Sequence, residues 1–163
     1  AVRFDLTHLF LAPGAAQLHS LQEALREVPA DAVLTEPLFV GAALLNELPA
    51  HSRPPIVALG IFPLGTKSRD TAPFGLGIPP GRGALARVRN AALAVLAEKV
   101  VFGRVGRLAD ELTRESVGHS STQYFMNWHS AADALVQFTV PAFEYPRSDL
   151  PASVRFVGAL PPT

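Results

Sequence analysis

Glu36 is the residue whose type and position best suit acid–base chemistry in this sequence of 163 residues. It directly follows the apolar run AVLT at residues 32–35 and precedes Pro37. A carboxylate at the end of a buried strand can orient a catalytic base or bind a polar ligand. The same carboxylate can instead stabilise the start of the next helix through the helix dipole. The residues alone leave both interpretations open.

The five histidines form no pattern that is typical of a metal site. They are scattered along the chain at His8, His19, His51, His119 and His129. None has the short His-x-x-x-His or His–carboxylate spacing that places ligands together. Cysteine is absent, which excludes disulfides, thiolate zinc sites and a cysteine nucleophile. Two serines follow His119, but no Gly-x-Ser-x-Gly motif surrounds them, so hydrolase chemistry is not indicated. We expect neither a metal ion nor an organic cofactor.

Charge is balanced over the whole chain but unevenly distributed along it. The 14 basic and 14 acidic residues give no net charge, which argues against a nucleic-acid binder. Residues 1–50 carry 2 basic and 6 acidic side chains, residues 51–107 carry 9 and 2, and residues 108–163 carry 3 and 6. The basic middle either faces an anionic ligand or an acidic neighbouring domain, or is a solvated helix face.

The hydrophobic residues, 48% of the chain, are typical of a globular protein. No apolar run approaches 18 residues and no signal peptide opens the chain, so we expect a cytoplasmic protein without membrane contact. The sequence begins at Ala1 without an initiator methionine. We therefore expect a fragment of a longer protein.

Apolar periodicity predicts an α/β fold with a parallel sheet flanked by helices. The predicted helices are residues 15–28, 39–48 and a long stretch from 85 to 112, which Gly103 and Gly106 bend or split. The predicted strands are residues 32–35, 56–61, 135–140 and 154–157, the last bounded by Pro151 and Pro161. The first two strands and the helix between them have the spacing of a right-handed βαβ unit.

A long loop rich in proline and glycine is predicted at residues 62–83, and loops of this length are often functional. Its glycine-rich part, residues 75–81, contains two prolines and does not follow a strand directly, so a dinucleotide site is not indicated. Asp70 in this loop is a weaker candidate for chemistry. We expect it to form an exposed ion pair with its neighbour Arg69.

Several stretches resemble one known family. FEYPRSDLP at residues 143–151 and VRFVGALPP at 154–162 resemble the end of the N-terminal domain of bacterial family 1 glycosyltransferases, the macrolide-glycosyltransferase-like group. SRDTAPFG at 68–75, RN at 89–90 and DAVLTE at 31–36 also resemble segments of that group. The resemblance extends over about residues 15–162.

The resemblance implies a GT-B fold, in which two Rossmann-like domains face each other across a cleft. Residues 1–163 would be a single, incomplete acceptor-side domain that ends at the interdomain linker. The full enzyme would transfer a sugar, with inversion, from a nucleotide-sugar co-substrate such as a UDP-sugar to a hydroxyl of a small apolar natural product. The C-terminal nucleotide-sugar domain is expected to be missing, so this segment alone would be inactive.

In the family, a histidine after the first strand is the general base and an aspartate after a later strand orients it. Glu36 stands at the place of that aspartate. The first strand with its Gly-His loop has no counterpart here, and His8 does not match it.

Six aromatic residues in or beside predicted loops are expected to line the acceptor side, although each could equally belong to an ordinary core. They are Phe39, Phe62, Phe74, Tyr124, Phe125 and Trp128.

A second interpretation is a non-catalytic α/β module that binds a ligand or forms a homo-oligomer. Absent opening strands would leave a sheet edge and apolar helix faces uncovered, and these would drive association.

Overall fold

A four-stranded parallel sheet organises the fold in the computed structural model, which describes residues 2–160. Its strands lie in the order of the sequence: β1 (Val33–Thr35), β2 (Ile56–Gly60), β3 (Ala134–Gln137) and β4 (Val154–Phe156). All three pairings are parallel, so the carboxyl ends of the four strands lie at the same end of the sheet. The predicted Rossmann-like α/β class is confirmed.

Within residues 2–160, five α-helices flank this sheet or lie beside it. They are α1 (Val2–Asp5), α2 (Gly14–Glu27), α3 (Val40–Asn46), α4 (Gly83–Val95) and α5 (Gly103–Val117). Two π-helical turns, Leu6–Leu11 and Leu96–Val101, continue α1 and α4, and single 3₁₀ turns lie at Ala50–Ser52, Trp128–Ala131 and Pro141–Phe143. Helix α2 ends before Pro29, which cannot continue it, and α5 ends at Gly118, whose φ of 86° is left-handed.

Two apolar clusters hold the elements together. The main cluster joins α2 and α3 to the sheet through Leu18, Leu44, Ile56 and Leu135, which are at most 5% exposed. The second cluster packs residues 6–11 against α5, with Leu6 and Leu11 against Val105 and Ala109. We did not predict this opening helical segment, because its stability comes from α5, about a hundred residues away along the chain.

Helices α2 and α3 approach each other closely at Gly41. A Cβ atom there would lie 2.7 Å from Cβ of Gln17 and 2.9 Å from the backbone nitrogen of Leu18. The Gln17 side chain accepts a hydrogen bond from the Gly41 N–H at 3.0 Å. The contact therefore needs glycine, and it fixes the path of the chain from β1 into α3.

Most predicted boundaries are confirmed to within two or three residues. The third strand is shorter than the predicted residues 135–140 and ends at Gln137, because β2 offers no regular partner beyond Gly60. The long helical pattern does split before Gly103, where Phe102 leaves helical geometry, but Gly106 lies inside α5 without a break. Pro161, predicted to bound the last strand, lies outside the described residues, and the single-domain assignment stays a prediction.

Residues 61–82 form the long loop that the sequence predicts. It leaves the carboxyl end of β2, contains no helix or strand, and returns the chain to the start of α4. Phe74, Gly75, Leu76 and Gly77 are exposed, whereas Leu64, Thr66 and Thr71 are buried. The loop is thus anchored at several points and open along one arc.

Apolar side chains remain exposed at one sheet edge and along α4. Leu34 in the edge strand β1 is 64% exposed, and Leu85 and Val88 in α4 are 84% and 66% exposed. The predicted uncovered edge and helix faces are therefore present in the described part of the chain.

Candidate functional site

Glu36 lies directly beyond the carboxyl end of β1 and caps the turn that leads into α3. Its Oε2 accepts the Leu38 N–H at 2.7 Å, and its carbonyl oxygen accepts the Phe39 N–H at 3.3 Å. The residue at the N-cap of α3 is Phe39, so Glu36 stabilises the preceding turn rather than the helix start. Its Oε1 accepts no hydrogen bond from residues 2–160, so one carboxylate oxygen remains available.

Trp128 and Phe39 flank the turn that Glu36 begins. The indole N–H of Trp128 donates to the carbonyl oxygen of Pro37 at 2.7 Å, and the ring is buried in the main cluster. Phe39 packs against the same cluster. It also lines a shallow, mostly apolar groove of about 410 Å³ together with Gln17 and Leu21 of α2. The structure therefore brings Glu36, Phe39 and Trp128 together around Pro37.

Tyr124 and Phe125 form a second aromatic pair in the loop after α5. Their ring centroids are 4.8 Å apart at an interplanar angle of 69°. Phe125 packs against the second cluster. Burial, followed by the nearby Glu98 carboxylate, raises the pKa of Tyr124 to about 12. The Tyr124 phenol is thus a proton donor rather than a base at neutral pH.

Phe62 and Phe74 lie apart from these two groups, in the loop that follows β2. Their side chains are 47% and 55% exposed. The Phe74 ring lies over Gly65, where an added Cβ would come within 3.6 Å of it. Both rings are therefore on the carboxyl-end side of the sheet, one strand away from Glu36, with apolar surface available to a ligand.

A half-buried carboxylate within the motif at residues 143–151 connects the loop after β2 to β3 and its end. Glu144 accepts the Leu64 N–H at 3.0 Å, the Thr139 hydroxyl at 3.0 Å and the Gln137 amide at 3.2 Å. Gln137 is 1% exposed and also donates to the carbonyl oxygen of Phe62 at 2.6 Å. A glutamine within an otherwise apolar strand is the sequence signal that indicates such a buried network.

Asp70 does not pair with Arg69, so that prediction is wrong. Its Oδ1 accepts Arg87 Nε at 2.9 Å, and its Oδ2 accepts both the N–H and the hydroxyl of Ser148. These hydrogen bonds from Ser148, reinforced by the Arg87 guanidinium, lower the pKa of Asp70 to about 2. The Arg69 guanidinium instead donates to the Ser148 hydroxyl oxygen at 3.0 Å, so Arg69 and Asp70 contact the same serine without pairing with each other.

His129 is a buried, neutral histidine rather than a surface residue. It lies in the 3₁₀ turn beside Trp128 and is 8% exposed. Burial lowers its pKa to about 4, so it carries no charge at neutral pH. Within residues 2–160 no three histidine or carboxylate side chains come together as they would in a metal site.

Comparison with curated proteins relates almost the whole chain to sugar transferases. The chain is 38% identical over 152 residues to 4'-demethylrebeccamycin synthase of Lentzea aerocolonigenes. It is 31% identical to UDP-glycosyltransferase 2 of Phaeomoniella chlamydospora and 32% identical to UDP-glucosyltransferase 1 of Beauveria bassiana. The chain is similar to UDP-glycosyltransferases.

These alignments cover 92–96% of this chain but only 35–38% of each relative. The chain thus spans about a third of the length of the curated relatives it matches. No protein-family model matches the chain, and no solved structure matches it. The assignment to a bacterial subgroup and the cytoplasmic location stay predictions. No helix between residues 2 and 160 is long and apolar enough to cross a bilayer.

Proposed function

We propose that this chain is the acceptor side of an enzyme that transfers a sugar, with inversion, from a UDP-sugar to a hydroxyl of a small apolar acceptor. The observation that carries this proposal is the similarity of more than nine-tenths of the chain to relatives named UDP-glycosyltransferase and UDP-glucosyltransferase. The parallel sheet supports it, because such sheets bind ligands beyond the carboxyl ends of their strands. The donor is bound by a second domain of the parent protein.

Glu36 acts in this proposal through a base histidine that another segment of the parent protein contributes. Its unengaged Oε1 accepts an N–H of that imidazole, which fixes the tautomer and stabilises the imidazolium that forms. The histidine removes the proton from the acceptor hydroxyl. The hydroxyl oxygen then bonds to the anomeric carbon as the carbon–oxygen bond to UDP breaks, and UDP leaves with the electron pair.

The six aromatic residues form the apolar surface of the acceptor site in this proposal. Phe39, Phe62 and Phe74 supply ring faces that a ligand can reach, as their exposure and groove position allow. Tyr124, Phe125 and Trp128 support the surrounding loops through packing. We expect no metal ion or organic cofactor to take part, because the histidine base and the UDP leaving group account for every bond and proton of the step.

The test is sugar transfer by the parent protein with UDP-glucose and a panel of planar phenols, followed by mass spectrometry of the products. Glu36→Gln keeps an acceptor for the Leu38 N–H but removes the negative charge. We expect it to lower kcat by about a hundredfold or more, as loss of acid–base assistance does. Its melting temperature should stay close to that of the wild type.

Two results would contradict the proposal. Sugar transfer that persists unchanged in Glu36→Gln removes Glu36 from the mechanism. A wild-type protein that transfers no sugar from any UDP-sugar refutes the enzyme assignment. Glu111→Gln, which changes an exposed carboxylate of α5, serves as the matched control and should keep the wild-type rate.

The alternative, a non-catalytic module that binds a ligand or forms homo-oligomers, is favoured by one observation. Apolar side chains such as Leu34 and Leu85 are exposed at the sheet edge and along α4. Acceptor binding without any sugar transfer, together with a stable oligomer of the parent protein, would support this second function.

A further inference from the structure

Three stretches that carry the family resemblance meet at one place in the fold. SRD at residues 68–70 contacts SD at residues 148–149, and Arg87 and Asn90 of α4 contact the first of these stretches. The contacting residues are about 80 positions apart along the chain. We call the group Ser68, Asp70, Ser148 and Asp149 the serine–aspartate clasp.

The clasp is reciprocal, because each side supplies one serine and one aspartate. Asp70 Oδ2 accepts the Ser148 N–H at 2.7 Å and the Ser148 hydroxyl at 2.6 Å. Asp149 accepts the Ser68 hydroxyl at 2.6 Å and the Arg69 N–H at 2.9 Å. The Arg69 guanidinium also donates to the Ser148 hydroxyl oxygen at 3.0 Å. Every contact includes a charged group, and such hydrogen bonds are the stronger ones.

Helix α4 joins the clasp from a third side. Arg87 donates to Asp70 Oδ1 at 2.9 Å, and the Asn90 amide donates to the carbonyl oxygen of Arg69 at 3.1 Å. Asn90 is only 2% exposed, so its amide needs this partner. The loop is therefore bound to α4 as well as to the segment before β4.

Other contacts anchor the same loop on both sides of its middle arc. The Leu64 N–H donates to Glu144, and the Leu64 carbonyl oxygen accepts Arg147 Nη2 at 2.6 Å. Near the other end, the Pro79 carbonyl oxygen accepts Arg89 Nη2 at 3.2 Å. Residues 72–78, which include Phe74, span the open arc and contain no buried residue.

We propose that the serine–aspartate clasp is a positioning device that sets acceptor preference, because it fixes the open arc of residues 72–78 beside the acceptor site. This inference rests on the proposed function. The clasp residues do not touch the reacting atoms. They place the Phe74 ring at the carboxyl-end side of β2, so that the apolar surface offered to the acceptor is rigid before it binds. Preorganised surfaces lose less entropy on binding and therefore bind more tightly.

The test compares Asp70→Ala and Ser148→Ala with the wild type in the parent protein. Asp70→Ala removes the acceptor of three hydrogen bonds, and Ser148→Ala removes one hydroxyl at an exposed position. Ser148→Thr retains the hydroxyl and is the conservative variant. Glu111→Ala, in α5 and outside the clasp, is the control.

The expected result separates binding from turnover. Asp70→Ala should raise the acceptor KM by about tenfold, because the arc that carries Phe74 is no longer held in place before the acceptor binds, whereas kcat and the donor KM change less than about twofold. Amide hydrogen exchange of residues 72–78 should become faster by a similar factor. Ser148→Ala should show the same changes at smaller size, Ser148→Thr should restore wild-type behaviour, and Glu111→Ala should show neither change.

The outcomes distinguish this proposal from the proposed function. If the wild type transfers sugar but Asp70→Ala and Ser148→Ala leave the acceptor KM unchanged, the clasp does not set acceptor preference. If amide hydrogen exchange of residues 72–78 stays at the wild-type rate in both variants, the positioning role itself is overturned. This measurement does not require an active enzyme. If Asp70→Ala fails to fold, the acceptor KM and the hydrogen exchange of Ser148→Ala decide whether the clasp has this role. A wild type that transfers no sugar overturns the proposed function together with acceptor preference.

Discussion

At the scale of single residues, His129 makes stability depend on pH. Its pKa in the folded protein is lowered to about 4 by burial, whereas an unfolded histidine titrates near 6.5. Between these two pH values the unfolded chain therefore binds a proton at His129, whereas the folded chain does not. The free energy of unfolding therefore does not depend on this group above about pH 6.5, and it falls as the pH drops from there toward 4.

We expect the free energy of unfolding to fall by about 3 kcal/mol between pH 7 and pH 4 from this residue alone. Urea unfolding of the chain at several pH values measures it. His129→Gln should flatten the profile in this window, and the exposed His119→Gln should not. The stabilisation from Asp70 is present above its unfolded pKa of 3.8 and is lost only as the pH falls from there toward 2, so the two effects occupy different pH ranges. An equally steep profile in His129→Gln would assign the effect elsewhere.

The sequence reveals residue types more readily than residue partners. Glu36 stands out because a carboxylate directly follows an apolar run, and the structure places it at the end of β1 as predicted. The pairing of Asp70 with Ser148 could not be predicted, since no spacing rule connects residues 78 positions apart. The burial of His129 could not be predicted either, because it depends on the packing of Trp128 and its neighbours.

At the scale of elements, periodicity predicts the helices and strands well where the local sequence determines them. Buried strands such as residues 56–60 appear as short apolar runs, and α2 has clear helical spacing that Pro29 ends. The opening helical segment was missed because it depends on contacts with α5. The extra length predicted for β3 reflects a sequence that alternates beyond the point where its neighbour ends.

Two glycines inside helices should respond in opposite directions to the same substitution. Gly41→Ala places a Cβ against the backbone of α2, so we expect it to destabilise the protein by about 1–3 kcal/mol. Gly106→Ala meets no atom within 4 Å and should stabilise α5 by about 0.5–1 kcal/mol. Thermal unfolding of both variants measures the difference. A neutral or stabilising Gly41→Ala would show that α2 and α3 can separate without cost.

At the scale of the whole molecule, exposed apolar surface should govern association. Leu85 and Val88 are three residues apart on α4, so they share one face, and both are largely exposed. We expect a chain of residues 1–163 to self-associate with increasing concentration in sedimentation experiments. Leu85→Glu combined with Val88→Glu should reduce this association, whereas Ala15→Glu, at an exposed alanine of α2, should not. A chain that stays monomeric at every concentration would contradict the expectation.

The charge distribution of the whole molecule was only partly interpretable from sequence. The basic middle segment contributes Arg87 to the Asp70 contact and Lys67 to an ion pair with Glu98. Arg53 pairs with Asp133 beside the start of β2. Part of the basic excess therefore serves internal contacts rather than an external anion, a division that sequence composition alone does not reveal.

The order of the strands also determines which strand lacks a pairing partner while the chain is being synthesised. Val57 of β2 pairs with Ala134 of β3, 77 residues later along the chain, whereas its other neighbour, β1, has already been synthesised. At about 5–20 residues per second, β2 waits roughly 4–15 seconds for its second partner. During this interval one edge of an apolar strand lacks hydrogen-bond partners. The nascent chain should therefore be most prone to misassembly, and most dependent on chaperones, while residues 61–133 are being translated.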